Sequence, residues 1–194
     1  MRYKPGYKTE KRQELLNVAG RVMKEKGFSA TGIDGLMQDA GVTSGAFYSH
    51  FPSKAALLKA LIVSELEASS AMWDMTDGKD PIEWLRHQVR LYLSMSHVTH
   101  PQTGCILPAL ASEISRADEE TRDLLTVELT KWQENIAEKL GDKDRAWAVI
   151  GQLVGGILLA RAVTDKSLQQ KILAASRTLL EDTISQAERH MSHS

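Results

Sequence analysis

The chain has 194 residues, 25% of them charged and 42% hydrophobic, with a formal net charge of −1. That length allows a small domain beside a larger one, or a single helical body with a real core. One cysteine excludes an internal disulfide framework, and no charged segment followed by an apolar one opens the chain, so a reducing cytoplasm is the simplest expected location.

The net charge conceals an asymmetry. Residues 1–60 hold ten Lys or Arg against five Asp or Glu, whereas residues 61–194 hold fourteen against twenty. A basic N-terminal part suits phosphate, because each neutralised phosphate releases counterions. An ordinary solvated helix face is the plainer reading of the same charges.

The first predicted element is a basic amphipathic helix from about Thr9 to the Gly27-Phe28 turn. Its Lys8, Lys11 and Arg12 either track a phosphate backbone or keep the chain soluble. Thr31 and Asp34 then supply capping side chains, and Ile33, Leu36, Met37 and Ala40 recur at helical spacing on one face. Gly41 follows, where a left-handed residue ends a helix without a Cβ clash. Thr43 is a second N-cap, and Ala46, Phe47 and Phe51 anchor a second helix of about two turns. Its other face carries Thr43, Ser44, Gly45, Tyr48, Ser49 and His50. Two short helices across a tight glycine turn predict a helix-turn-helix. Gly45 and Ala46 let the backbone approach a DNA groove, and the hydroxyls and imidazole supply short hydrogen-bonding groups. Nothing on that face is an acid, an activated nucleophile or a metal cluster.

Beyond it, a long connecting helix is expected from Lys54 to about Trp73, capped by Ser53 and buried through Leu57, Leu58, Leu61 and Ile62. Residues 77–81 break the pattern, with Pro81 suited to the first turn of a helix running to about Thr99. Pro101 to Gly104 is a second break. Helices follow at Leu107–Ser115, Glu119–Leu140, Lys143–Val163 and Ser167–His190. Strand-like alternation is absent, so the expected class is all-α. The longest apolar run, Ala146 to Ala160, is interrupted by Gln152 and bounded by Arg145 and Arg161. It is too short to span a bilayer comfortably, and no membrane partner is expected. In the same helix Trp147, Ile150, Leu153, Val154, Ile157 and Leu158 form a stripe wider than one neighbour needs, while Gly151, Gly155 and Gly156 permit close helix approach. Leu168, Ile172, Ala175 and Leu179 line a face of the last helix. These faces either complete a monomer core or pair with a second copy.

The string GIDGLMQDAGVTSGAFYSHFPSKAALLKAL, with the helix and turn before it, resembles the DNA-binding domain of TetR-family transcriptional regulators. The resemblance is specific over roughly the first sixty residues; the remainder matches in length and helical character. It implies a three-helix DNA-binding domain at residues 1–53 and a ligand-binding and dimerisation domain at 54–194, about nine helices in all. Tyr48 and His50 match positions that commonly touch phosphate in this family, and Lys54 adds charge at the start of the next helix. Thr43, Ser44, Gly45 and Ala46 are the base-facing candidates, Ser49 lies on the same face, and Thr31 is a candidate phosphate donor. Gly35 departs from the bulky apolar residue often found there, and with Gly32 it costs the short helix up to about 1 kcal/mol per glycine. The resemblance further implies a homodimer on a near-palindromic double-stranded DNA operator, with Gly151, Val154, Gly155, Leu158, Ile172, Ala175 and Leu179 in the dimer interface. It also implies a small-molecule inducer, for which Trp84, His87, Leu91, Met95, Leu107, Trp132 and Trp147 are candidate lining residues.

Cys105, in HPQTGCILPALASE, joins that set. The segment resembles a GC-plus-apolar motif of a TetR subfamily that includes regulators responding to quinones and other electrophiles. The alternative is a cysteine acting as a small hydrophobe. His97, His100 and Cys105 fit no recognised zinc spacing, so neither metal nor cofactor is expected. An enzyme using His87 or His97 with Glu83 or Glu113 and Cys105 lacks any motif that fixes those residues as a unit. A helical protein-interaction module without DNA affinity is the other alternative. Both are disfavoured.

Overall fold

A computed structural model describes residues 7–74, 78 and 80–191. Among the described residues are ten α-helices, one 3-10 turn and no strand. The helices are α1 (Tyr7–Lys26), α2 (Ile33–Asp39), α3 (Ser44–His50), α4 (Lys54–Asp74), α5 (Pro81–Tyr92), α6 (Met95–Thr99), α7 (Leu107–Ile114), α8 (Glu119–Leu140), α9 (Lys143–Ala162) and α10 (Lys166–Met191). The 3-10 turn is Pro101–Thr103. Two compact units result: Met1–Leu66 with Pro101–Leu125, and Glu67–His100 with Thr126–Ser194.

The first unit is built on the apolar periodicity of α1 to α4. Leu15, Leu16, Ala19 and Met23 of α1 are buried, as are Leu36 and Met37 of α2, Phe47 of α3, and Leu57, Leu58, Leu61 and Ile62 of α4. Lys24 and Glu65 join α1 to α4 at 2.8 Å, with both side chains largely shielded from water. At the α2–α3 turn Gly41 has φ +65. The Gly41 and Val42 N–H groups donate to the carbonyls of Gln38 and Met37, closing the turn that left-handed backbone allows. Ser53 caps α4 by accepting from the Ala56 N–H at 3.0 Å.

Thr43 caps α3, accepting from the Ala46 N–H at 3.3 Å. Replacing a threonine cap with alanine leaves an orphan donor at the helix start. Thr43→Ala is therefore expected to lower stability by about 1 kcal/mol, visible as a lower midpoint in thermal melting. An unchanged midpoint would mean that tertiary packing alone holds α3.

In the second unit α9 presents Ala146, Val149, Ile150, Leu153, Gly156, Ile157 and Ala160 to the interior. Gly156 is required for a close approach: a Cβ there would lie 2.9 Å from the Ser176 hydroxyl of α10 and 3.0 Å from Leu93. Arg86 of α5 reaches α10 through Glu181 at 3.3 Å and Glu188 at 2.7 Å.

The structure departs from the sequence reading in two places. The helix expected from Pro81 to about Thr99 is two helices, which raises the count above the nine expected. Leu93 (φ −84, ψ 53) leaves helical geometry with its side chain fully buried. Ser94 then starts α6 as an N-cap, its hydroxyl accepting from the His97 N–H. An unbroken helix would have bonded that N–H to the Leu93 carbonyl, which instead accepts from the Arg177 guanidinium at 2.7 Å. The second departure is Thr31, which does not cap α2. Gly32 occupies the cap position without a side-chain bond, and the Thr31 hydroxyl donates to the Gly27 carbonyl at 2.6 Å. The expected break before Pro81 lies partly outside the described residues. Within it Gly78 has φ +73, and Asp80 caps α5 from the residue before Pro81.

Candidate nucleic-acid interface

The surface of α3 follows from which residues its core keeps. Phe47 and the following Phe51 are buried, with their rings 5.8 Å apart, and fix the helix against the first unit. Thr43, Gly45, Tyr48 and Ser49 are consequently exposed, whereas Ser44, Ala46 and His50 are half-buried. Tyr48 is 55% exposed and meets Phe47 edge-on at 5.1 Å, so its ring is braced while more than half of the residue stays open to solvent.

Several polar side chains of this face already have partners. The Ser44 hydroxyl donates to Asp34 at 2.7 Å, linking α3 to α2, and Ser49 donates to the Ala46 carbonyl at 2.7 Å. Thr31 is buried. His50 Nδ1 is buried and finds no hydrogen-bond partner among the described residues. Arg12 of α1 lies over the Phe51 ring at 4.7 Å, which brings one N-terminal cation to the end of α3.

Lys54 is less free than its sequence position suggests. Its ammonium sits over the Phe28 ring at 4.3 Å. Burial lowers its pKa from the ordinary lysine value, and the charge of Glu113 offsets this only in part. Glu113 itself was no candidate for this role in the sequence, yet it organises the turn between α1 and α2. One carboxylate oxygen accepts from the Phe28 N–H at 2.8 Å and the other from the Ser29 N–H at 2.7 Å. Burial pushes this carboxyl upward, but the hydrogen bonds from Ser29 and Phe28 and the charge of Arg116 outweigh it and hold the pKa below the ordinary value. No local pattern could have found this contact, which joins residues 85 positions apart.

The ligand candidates fall into both units. Cys105 and Leu107 belong to the first, where Cys105 is a half-buried thiol and Leu107 is buried. The other six belong to the second. Trp132 is buried there, Trp84 and His87 contact each other at 5.6 Å, Met95 is half-buried, and Leu91 and Trp147 are exposed. The dimer candidates lie on the outer faces of α9 and α10. Leu158 is 52% and Leu179 53% exposed, Gly151 and Ala175 are exposed, and Val154, Gly155 and Ile172 are half-buried. A Cβ on Gly151 or Gly155 would meet nothing within 4 Å, so packing inside the chain does not demand either glycine. Among the described residues no group of three or more His, Cys, Asp or Glu is placed to hold a metal ion, and no helix is long and apolar enough to cross a membrane.

Residues 15–61 match the family described as bacterial regulatory proteins, tetR family. Over 169 residues the chain is 24% identical to the uncharacterized HTH-type transcriptional regulator YxaF of Bacillus subtilis, covering 81% of this chain and 88% of that protein. It is also 24% identical to the HTH-type transcriptional regulator LmrA of the same species, over 78% of this chain and 86% of that protein. Among solved structures, Escherichia coli NemR in its reduced form superposes with a TM-score of 0.77 at 17% identity, covering 89% of this chain and 96% of NemR.

Proposed function

We propose that this chain, a TetR-like DNA-binding transcriptional regulator, works as a homodimeric repressor that a small molecule or an electrophile releases from a near-palindromic operator. It is not an enzyme; its relatives are transcriptional regulators. The observation that carries the reading is α3, whose buried Phe47 and Phe51 turn Thr43, Gly45, Tyr48 and Ser49 outward in the basic part of the chain. Residues 1–53, with Lys54 at the start of α4, read DNA: Tyr48, His50 and Lys54 toward phosphate and Thr43, Ser44, Gly45 and Ala46 toward base edges, while the buried Thr31, its hydroxyl given to the Gly27 carbonyl, holds the turn before α2. Residues 54–194 sense the inducer and dimerise, and acting on the genome the protein works in the cytoplasm.

The half of α9 and α10 turned away from the core supports the dimer. Leucines beside glycines with open space above them suit close packing against the same helices of a second copy. Two recognition helices about 34 to 36 Å apart would then enter successive major grooves. Fluorescence anisotropy on DNA from upstream of the protein's own gene, titrated at several salt concentrations against a scrambled duplex, tests the reading. Selective binding that weakens steeply with salt is expected, and Tyr48→Ala should weaken it by at least about tenfold through the lost phosphate contact. Equal, weak binding to both duplexes in this assay and to every sequence in a genome-wide selection would overturn it.

Cys105 is the electrophile candidate, a thiol two residues before α7. Alkylating agents are expected to release DNA from the unaltered protein and not from Cys105→Ser. Equal release from both would remove Cys105 from the mechanism.

A further inference from the structure

Two buried polar atoms in the second unit stand one helical turn apart on the same face of α8. The Trp132 side chain belongs to a residue 4% exposed, and its indole N–H finds no hydrogen-bond partner among the described residues. Glu128 is 5% exposed; one oxygen accepts from Lys131 at 2.7 Å, while Oε2 finds no partner among the described residues. Native interiors satisfy such groups, and exceptions mark places where something else completes them. Here one orphan is a donor and the other an acceptor.

The surroundings of Trp132 are aromatic. Trp132 meets Trp73 edge-on with centroids 5.4 Å apart, and Tyr92 lies 6.2 Å from Trp132 and 6.4 Å from Trp73. Edge-on and tilted contacts are the arrangements in which aromatic rings attract one another, and a further aromatic ring joining the cluster would gain the same contacts.

We propose that Trp73, Tyr92, Trp132 and Glu128 form a binding site for a neutral hydroxylated aromatic compound, its ring against the three aromatic side chains and its hydroxyl bonded to Glu128 and Trp132. This rests on reading residues 54–194 as the sensing part of a regulator. A phenolic hydroxyl both donates and accepts, so it answers the carboxylate and the indole N–H together. An ionised carboxylate guest has no hydrogen to donate to Glu128 Oε2. A quaternary ammonium would leave the indole N–H unmet, and Lys131 already neutralises Glu128.

The test is isothermal titration of the full-length protein with β-naphthol, its methyl ether and naphthyltrimethylammonium, followed by Trp132→Phe and Glu128→Gln. Phenylalanine keeps a ring but removes the donor. Glutamine can keep an oxygen toward Lys131 while turning a donor toward the site. β-Naphthol is expected to bind at least tenfold tighter than the ether, and each variant, folded by circular dichroism, should lose most of that preference. The inference is overturned if the ether binds as well as the naphthol, if the cation binds best, if no probe binds, or if both variants keep the preference. DNA release is followed in parallel. Hydroxyl-selective binding that leaves operator affinity unchanged would keep the site and overturn the inducer reading. Release by the probes without hydroxyl preference would do the reverse.

Discussion

Leu158→Glu combined with Leu179→Glu is expected to abolish the proposed dimer and to weaken operator binding by at least about a hundredfold. Both leucines are more than half exposed in the isolated chain, so charging them should change the stability of the single subunit by no more than about 0.5 kcal/mol. In a two-fold interface each substitution occurs twice, placing four like charges where apolar surface would otherwise be buried. Losing the second recognition helix removes the intramolecular advantage of engaging two half-sites, a factor of roughly 10²–10⁴ in linked binding. Light scattering coupled to size-exclusion chromatography reads the mass, and anisotropy reads the affinity. A variant that stays dimeric and binds as before would show that α9 and α10 are not the interface.

The second large effect is expected at Glu113. Glu113→Ala removes two charge-assisted hydrogen bonds to the main chain of the α1–α2 turn. Bonds to a charged partner contribute about 1.5–3 kcal/mol each where well shielded. This carboxylate is only half-buried, so about 1–2 kcal/mol for the pair is a fairer figure. If that free energy orders the turn for DNA, operator affinity should fall about tenfold. Glu113→Gln, with one acceptor oxygen, should recover part of it. The acid limb of stability carries the same signature. Glu113 has its pKa lowered below 4.5 in the folded protein, so the unfolded chain binds its proton first. The contribution is present at neutral pH and is lost as pH falls from about 4.5 through the lower folded value. Thermal melting between neutral pH and pH 3 should show a steeper decline in the unaltered protein than in Glu113→Ala. Parallel declines would mean that the turn does not depend on this carboxylate.

The helix-turn-helix was legible because its signals are local. Leu36 and Met37 share a helical face and are buried, Phe47 and Phe51 are anchors and are buried, and Thr43 lies at the cap it was expected to form. The same locality misled at Thr31, since a capping residue type one position too early bonds back to Gly27 instead. It also missed the interruption after Tyr92, where Leu93 and Ser94 look helical in an apolar stretch and only the burial of Leu93 and the reach of Arg177 explain the break. Glu113 and the Trp73, Tyr92 and Glu128 cluster were illegible for a related reason. Glu113 meets the turn after α1, and Trp73 and Tyr92 meet Trp132 of α8, contacts between segments far apart in the sequence, and nothing in the adjacent sequence distinguishes Glu113 from the other surface acids of this chain.

The bond from Glu113 to Phe28 also bears on how the chain can drift. Its donor is a main-chain N–H, which every residue except proline offers. For this contact, position 28 is therefore blind to side-chain identity, and the selective burden falls on position 113. Descendant sequences that keep the clasp should show an invariant acid with no correlated partner, a long-range tie that pairwise covariation would pass over, and at position 28 proline alone would remove the donor.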